Sequence, residues 1–260
     1  GMPETHDAVV VGAGHNGLAA ALGLADEGLD VCVLERNDEP GGSVRSDELT
    51  REGYVHDTHS TNQNLFLGSA LYEQFGDELR DAGLEFSQSG KPFANVYPGG
   101  DALRVYQDAE RTREEFESHS PADAEGWETL HGEFGRFAET LAPLMGKPLP
   151  SVAAGRTVLD AVRSEGPGGL LDLAQIPLSS TRELGDAYFE TDEAKALMAC
   201  WGLHIDFGPD VSGGGMFPFL ESFTALSKGI SVASGGASAI PDALVRLIED
   251  RGGEVRTDAE

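Results

Sequence analysis

Near the amino end, Asp7-Ala8-Val9-Val10-Val11-Gly12-Ala13-Gly14-His15-Asn16-Gly17-Leu18 joins an apolar run to a helical pattern through three glycines. Ala8 to Val11 reads as a parallel strand covered on both faces, and Asn16 to Glu27 carries the Ala and Leu spacing of a packed helix. In such a turn Gly12 permits the tight reversal. Gly14 lets the main chain approach a pyrophosphate, and Gly17 lets helix and strand pack closely. Unpaired N–H groups at the helix start then face the phosphates. Gly12, Ala13, Gly14, His15, Asn16 and Gly17 are therefore expected to bind a dinucleotide.

The pattern continues in the right order. Gly28 ends the helix, Asp30 to Leu34 resume a strand, and Glu35 closes it, 23 residues after Gly12. An acid near that spacing hydrogen-bonds ribose hydroxyls and would repel a 2′-phosphate, which argues against NADP. The bland alternative is a glycine turn and a surface glutamate with no ligand.

Beyond the second strand, Glu35-Arg36-Asn37-Asp38-Glu39-Pro40-Gly41-Gly42-Ser43-Val44-Arg45-Ser46 adds a second glycine pair. Here the sequence resembles the FAD-binding oxidoreductases of the phytoene desaturase and amine oxidase group, in which the acid is followed by a short spacer and G-G-x-x-x-S/T. Gly41, Gly42 and Ser46 match that pattern. The resemblance implies FAD as cofactor, with Gly41, Gly42 and Ser43 bringing main chain close to it and Arg45 near its phosphates; Arg36 is a lesser candidate. The stretch from Glu48 to Ser60 is similar to the family's segment near the flavin. Within it His56, Asp57 and His59 are read as structural or flavin-supporting rather than catalytic, because hydride transfer to a flavin is the cofactor's chemistry. No catalytic residue is assigned.

Ala233 to Arg256 resembles the family's second signature: the pair Gly235-Gly236, a helix with Ala243, Leu244, Leu247 and Ile248 on one face, a Gly252-Gly253 cap and a returning strand. The resemblance implies an α/β fold, with a Rossmann-type FAD-binding domain of the GR2-like kind from two separated segments, residues 1–83 and 229–260. A mixed α+β substrate lobe, 84–228, is inserted between them. The family continues well past this point, so its C-terminal part is expected to be missing here, as from a fragment or a truncated relative. Gly1 before Met2 fits a cloning scar or a partial reading frame.

In the intervening stretch a helix is expected over Asn64 to Ala82, with strands at Leu84–Gln88, Phe93–Tyr97 and Leu103–Tyr106. A helix opens at Ser120-Pro121-Ala122-Asp123, with N-cap, proline and capping-box acid in place. Trp127, Leu130, Phe134, Phe137, Leu141 and Leu144 recur at helical spacing and read as core, although such a stripe can also wall an apolar tunnel. Leu197 to Phe223 is rich in large apolar residues, suited to a core or a cavity lining.

Charge limits the partners. There are 45 acidic against 18 basic residues, only four of them lysine, for a net −27. Such a surface repels nucleic acid and anionic membrane faces, and its self-repulsion weakens the fold unless salt screens it. At about 1 M salt the Debye length is only about 3 Å, so a halophile's cytoplasmic protein is expected. Cys32 and Cys200 read as reduced core thiols, no C-x-x-C pair is present, and the histidines lack H-x-x-x-H spacing, so no metal site is expected.

The favoured activity is hydride removal from a small apolar substrate, isoprenoid or polyene, to flavin, with flavin-assisted isomerisation close behind. A peripheral membrane contact would give access to such a substrate. Electron acceptor, substrate and oligomeric state are left open. Two other classes stay in view: a non-catalytic isoprenoid carrier on the same fold, and an NAD-binding dehydrogenase using the first motif alone, which Gly41-Gly42 disfavours.

Overall fold

The computed structural model describes residues 4–260. In chain order, β1 (Ala8–Val11), α1 (His15–Asp26) and β2 (Val31–Leu34) are followed by short strands β3 (Ser46–Asp47) and β4 (His56–Asp57), helices α2 (Asn64–Leu67) and α3 (Ala70–Asp81), and β5 (Phe86–Ser89). Next come β6 (Phe93–Val96), β7 (Ala102–Val105), α4 (Ala109–His119), α5 (Pro121–Thr140), α6 (Val152–Leu178), α7 (Thr181–Tyr188), α8 (Asp192–Leu197), α9 (Ala199–His204) and α10 (Met216–Lys228). The chain closes with β8 (Ile230–Ala233), α11 (Ala239–Asp250) and β9 (Glu254–Arg256). It divides into two compact units, one from the chain up to Ser89 with Ile230–Glu260, the other Gly90–Gly229.

The first unit centres on a parallel three-stranded sheet ordered β1-β2-β9. Leu18, Ala21, Leu22 and Ala25 of α1 pack with Val31 and Val33 of β2 and with Ile240, Leu244, Leu247 and Ile248 of α11. The apolar face expected on α11 is therefore the one it buries. β1 differs from expectation. Val9 and Val11 are 54% and 85% exposed, because α1 and α11 cover only one face of this sheet and β1 pairs along only one edge. The expected single helix over residues 64–82 is broken at Gly68, where Ser69 accepts a hydrogen bond from the Tyr72 N–H and starts α3 afresh. The strand expected at the head of the inserted lobe, β5, pairs antiparallel with β8 inside this first unit.

The second unit is mostly helical, with one antiparallel hairpin of β6 and β7. Its core gathers Phe116, Trp127, Leu130, Phe137, Phe219 and Phe223, with ring stacking between Phe116 and Trp127 at 4.6 Å. Trp127, Leu130 and Phe137 of the stripe thus pack as core with Phe134 and Leu141 against them, as do Met198, Phe219 and Phe223, whereas Leu144 lies in a separate turn outside the cluster and Leu203 and Phe207 are 58% and 40% exposed. Ser120 caps α5 as expected, but Asp123 does not complete a capping box. Its fully buried carboxylate instead accepts from the Glu190 N–H at 2.6 Å and from the Thr191 N–H and hydroxyl, fixing the start of α8. Cys200, in short helix α9, is exposed rather than in the core, while Cys32 is buried in β2. Gly166, at φ 71°, breaks α6 into two helical runs.

Candidate functional site: a glycine-rich cradle at the end of β1

The three glycines between β1 and α1 stand in three different situations. Gly12 has φ +95°, which a side chain disfavours whatever the space around it. Gly17 is held by contact, since a Cβ there would sit 2.1 Å from the Gly12 carbonyl oxygen. Gly14 is neither strained nor crowded: φ is −67° and a Cβ would meet nothing within 4 Å. The chain's own packing does not demand a glycine at that position. An approaching ligand would.

Gly14 is also the N-cap of α1, and it supplies no side-chain cap. The first turn holds no acid, so its N–H groups and the positive end of the helix dipole are left for an anion. The second glycine pair abuts this turn. The Gly41 N–H donates to the Ala13 carbonyl at 2.7 Å, and a Cβ on Gly42 would lie 3.2 Å from Gly14 Cα. Two sequence segments thus build one backbone cradle.

Glu35 stands at the carboxyl end of β2, 5% exposed. It accepts from the Ala13 N–H at 2.8 Å, from the Asn37 N–H at 2.9 Å and from the Asn37 side-chain amide at 2.7 Å. Donation by the Asn37 and Ala13 amides holds its carboxyl below the usual range against the opposing effect of burial, so it is ionised at neutral pH. A carboxylate offers about four lone-pair positions, so three donors leave it able to accept a sugar hydroxyl. The Ala13 N–H is already engaged with Glu35, and Ala13 therefore serves the loop rather than offering a free donor.

Two hollows flank the loop. One, of about 540 Å³, is lined by Gly12, Leu34, Glu35, Arg36, Asn37 and Ala259. The other, about 480 Å³, is lined by His15, Asn16, Ser43, Val44, Ser60 and Gln63 among others. The returning strand shapes the first: the Glu35 N–H donates to the Arg256 carbonyl, and the Ala259 N–H to the Glu35 carbonyl.

Arg45 lines neither hollow. Its guanidinium lies 3.7 Å from Asp47, with 44% of its side chain exposed, and its carbonyl accepts from the Thr58 N–H. Asp57 has a structural task, accepting from the Ser46 hydroxyl at 2.9 Å and the Ala237 N–H at 2.7 Å. Ser46 and Ser238 exchange main-chain and hydroxyl hydrogen bonds, which clamps the G-G-x-x-x-S segment to the start of α11. Gly236 is required there because a Cβ would sit 2.5 Å from the Ser46 hydroxyl oxygen. His56 contacts the Thr50 hydroxyl and is exposed, as is His59. Sequence reasoning missed Asn37, which orients the acid, although an Asn two residues after a strand-ending carboxylate is an available signal.

Residues 10–74, which hold the end of β1 together with α1, β2 and the cradle, match the family described as NAD(P)-binding Rossmann-like domain. Over nearly its whole length the chain is homologous to phytoene and carotenoid desaturases. It is 28% identical over 261 residues to a neurosporene-forming phytoene desaturase of Rhodobacter capsulatus, covering 97% of this chain and 46% of the relative. Identity to a carotenoid 3,4-desaturase of Haloarcula japonica is also 28%, covering 98% and 49%. The chain thus spans about half the length of these curated relatives. Among solved structures, putrescine oxidase bound to putrescine matches with a TM-score of 0.58 at 20% identity, over 97% of this chain and 51% of that one, which establishes the shared fold.

Proposed function

We propose that this chain carries the FAD-binding portion of a desaturase-type oxidoreductase acting on an apolar isoprenoid or polyene. The observation that carries the reading is Gly14, a glycine its own fold does not require, at an uncapped helix start beside a second glycine pair. The residues present fit a dinucleotide. The α1 amides and Gly14 would hold the diphosphate, Glu35 a ribose hydroxyl, and Gly41-Gly42 would let a second stretch of main chain approach. His15, Asn16 and Ser43 line the adjoining hollow, and Arg36 lies beside Glu35. The chemistry supplied by FAD is acceptance of hydride from a carbon skeleton as a double bond forms, with a separate acceptor completing the cycle.

This chain's own part is binding and orientation. Ionised Glu35 disfavours a 2′-phosphate, so FAD and NAD are admitted and NADP is not. Homology to desaturases named for phytoene and carotenoid supports the substrate class. A net charge of −27 supports a setting in concentrated salt, where screening relieves self-repulsion.

Titrating the purified chain with FAD, NAD and NADP, and following flavin fluorescence and intrinsic Trp fluorescence, tests the cofactor. FAD is expected to saturate at one equivalent and NADP not to compete. Preferential binding of NAD would transfer the site to the dehydrogenase class. Prenyl-ligand binding without any dinucleotide would indicate a carrier.

A further inference from the structure

At the opposite end of β2 from Glu35, three side chains from separate segments converge. His6 precedes β1, Cys32 lies in β2 and Glu254 in β9, and one ligand-type atom from each falls within 4.8 Å of the others. Cys32 and Glu254 are direct partners in the parallel ladder and therefore share a face of the sheet. Spacing rules for metal sites overlook the set because no two of its members are close in sequence.

His6 distinguishes this cluster from an ordinary acidic edge. Its Nδ1 lies 3.1 Å from the Asp30 carboxylate, which fixes the ring and favours the tautomer with the proton on Nδ1. Nε2 is then left as a lone-pair donor, yet it is buried and has no hydrogen-bond partner among the described residues. A buried polar atom without a partner is costly, and a carboxylate hydrogen-bonded to the other ring nitrogen is the usual arrangement behind a metal-ligating histidine. Glu4 adds a fourth group, its carboxylate 3.9 Å from Nε2.

We propose that Cys32 Sγ, His6 Nε2 and the Glu254 carboxylate bind a divalent cation of the zinc class, with Glu4 available as fourth ligand. Sulfur, imidazole and carboxylate together select a borderline metal over calcium or magnesium, which prefer oxygen alone. Ligand atoms around tetrahedral zinc lie roughly 3.5 Å apart, so small side-chain rotations complete the set. Binding exchanges the thiol proton for the cation: the S–H bond breaks, an S–metal bond forms, and one proton leaves to solvent. Burial raises the Cys32 thiol above its ordinary range, and the cation overcomes that. Arg256 bridges Glu4 and Glu254, at 2.6 Å to the latter, and holds both carboxylates in place without consuming all their lone pairs. The cation would staple the segment before β1 to β2 and β9, independently of any dinucleotide.

The test titrates metal-free, reduced whole chain with Co2+ as the probe and reads the thiolate-to-cobalt charge-transfer band. One saturating equivalent is expected, displaced by Zn2+, with one proton released per cation. Cys32→Ser should lose the band and Cys200→Ser keep it. Asp30→Asn leaves all proposed ligands in place and should weaken binding by about tenfold or more. Absence of the band in the folded wild-type chain, or its survival in Cys32→Ser, would overturn the proposal.

Discussion

Gly17 in the first unit and Gly126 in the second do the same work. At Gly17 a Cβ would meet the Gly12 carbonyl oxygen at 2.1 Å, and at Gly126 it would meet the Tyr188 carbonyl oxygen at 1.7 Å. Each therefore lets main chain lie directly on main chain. Only the first is visible in the sequence. Gly17 belongs to a local turn in which strand, glycines, helix and acid follow one another, so spacing alone reveals its duty. Gly126 sits inside α5, where a glycine reads simply as a weak helix former, and its partner lies some sixty residues onward in the chain. Constraints that are local in sequence can be read before the fold is known, whereas constraints set by docking one helix on a remote segment cannot.

The sharpest way to break this comparison is to substitute both glycines. Gly17→Ala and Gly126→Ala should each destabilise the chain by on the order of 3 kcal/mol, because the atom met is backbone and cannot move aside cheaply. Urea unfolding midpoints measure both. A large loss at Gly17 with none at Gly126 would show that the close approach in the second unit relaxes freely.

The two buried acids extend the contrast. Asp123 and Glu35 both accept main-chain N–H groups from distant segments, yet the sequence pattern locates Glu35 at its strand end and assigns Asp123 to its own helix cap, where the structure does not use it. Local chemistry suggested the capping box, but docking of α8 claimed the carboxylate instead. Much of the glycine-rich cradle's architecture was legible in the same local sense: Gly12, Gly14, Gly17, Glu35, Gly41 and Gly42 all build it. Arg45 was not legible, since where a long exposed side chain points depends on neighbours such as Asp47. Exposure of Val9 and Val11 was equally hidden, because an apolar run records what a strand can bury but not which of its faces is covered.

A smaller effect separates Glu35 from a merely buried acid. Its folded-state pKa is lowered, so its contribution to stability is full above the unfolded value of about 4.3 and is lost as pH falls through the folded value. Glu35→Gln should therefore cost about 1–3 kcal/mol at pH 7, and the gap to wild type should narrow in acid. Unfolding curves at pH 7 and pH 3 measure this. A gap that stays constant across that range would mean the charge on Glu35 is not what the Ala13 and Asn37 amides recognise.

Gly14→Ala tests the cradle most directly, because it adds one methyl group where the unliganded chain has room. FAD affinity, measured by fluorescence titration alongside the thermal unfolding midpoint, should fall at least about tenfold, equivalent to roughly 1.4 kcal/mol, while stability changes by less than about 1 kcal/mol. Undiminished FAD binding by this variant would contradict the claim that main chain at Gly14 lies against the dinucleotide.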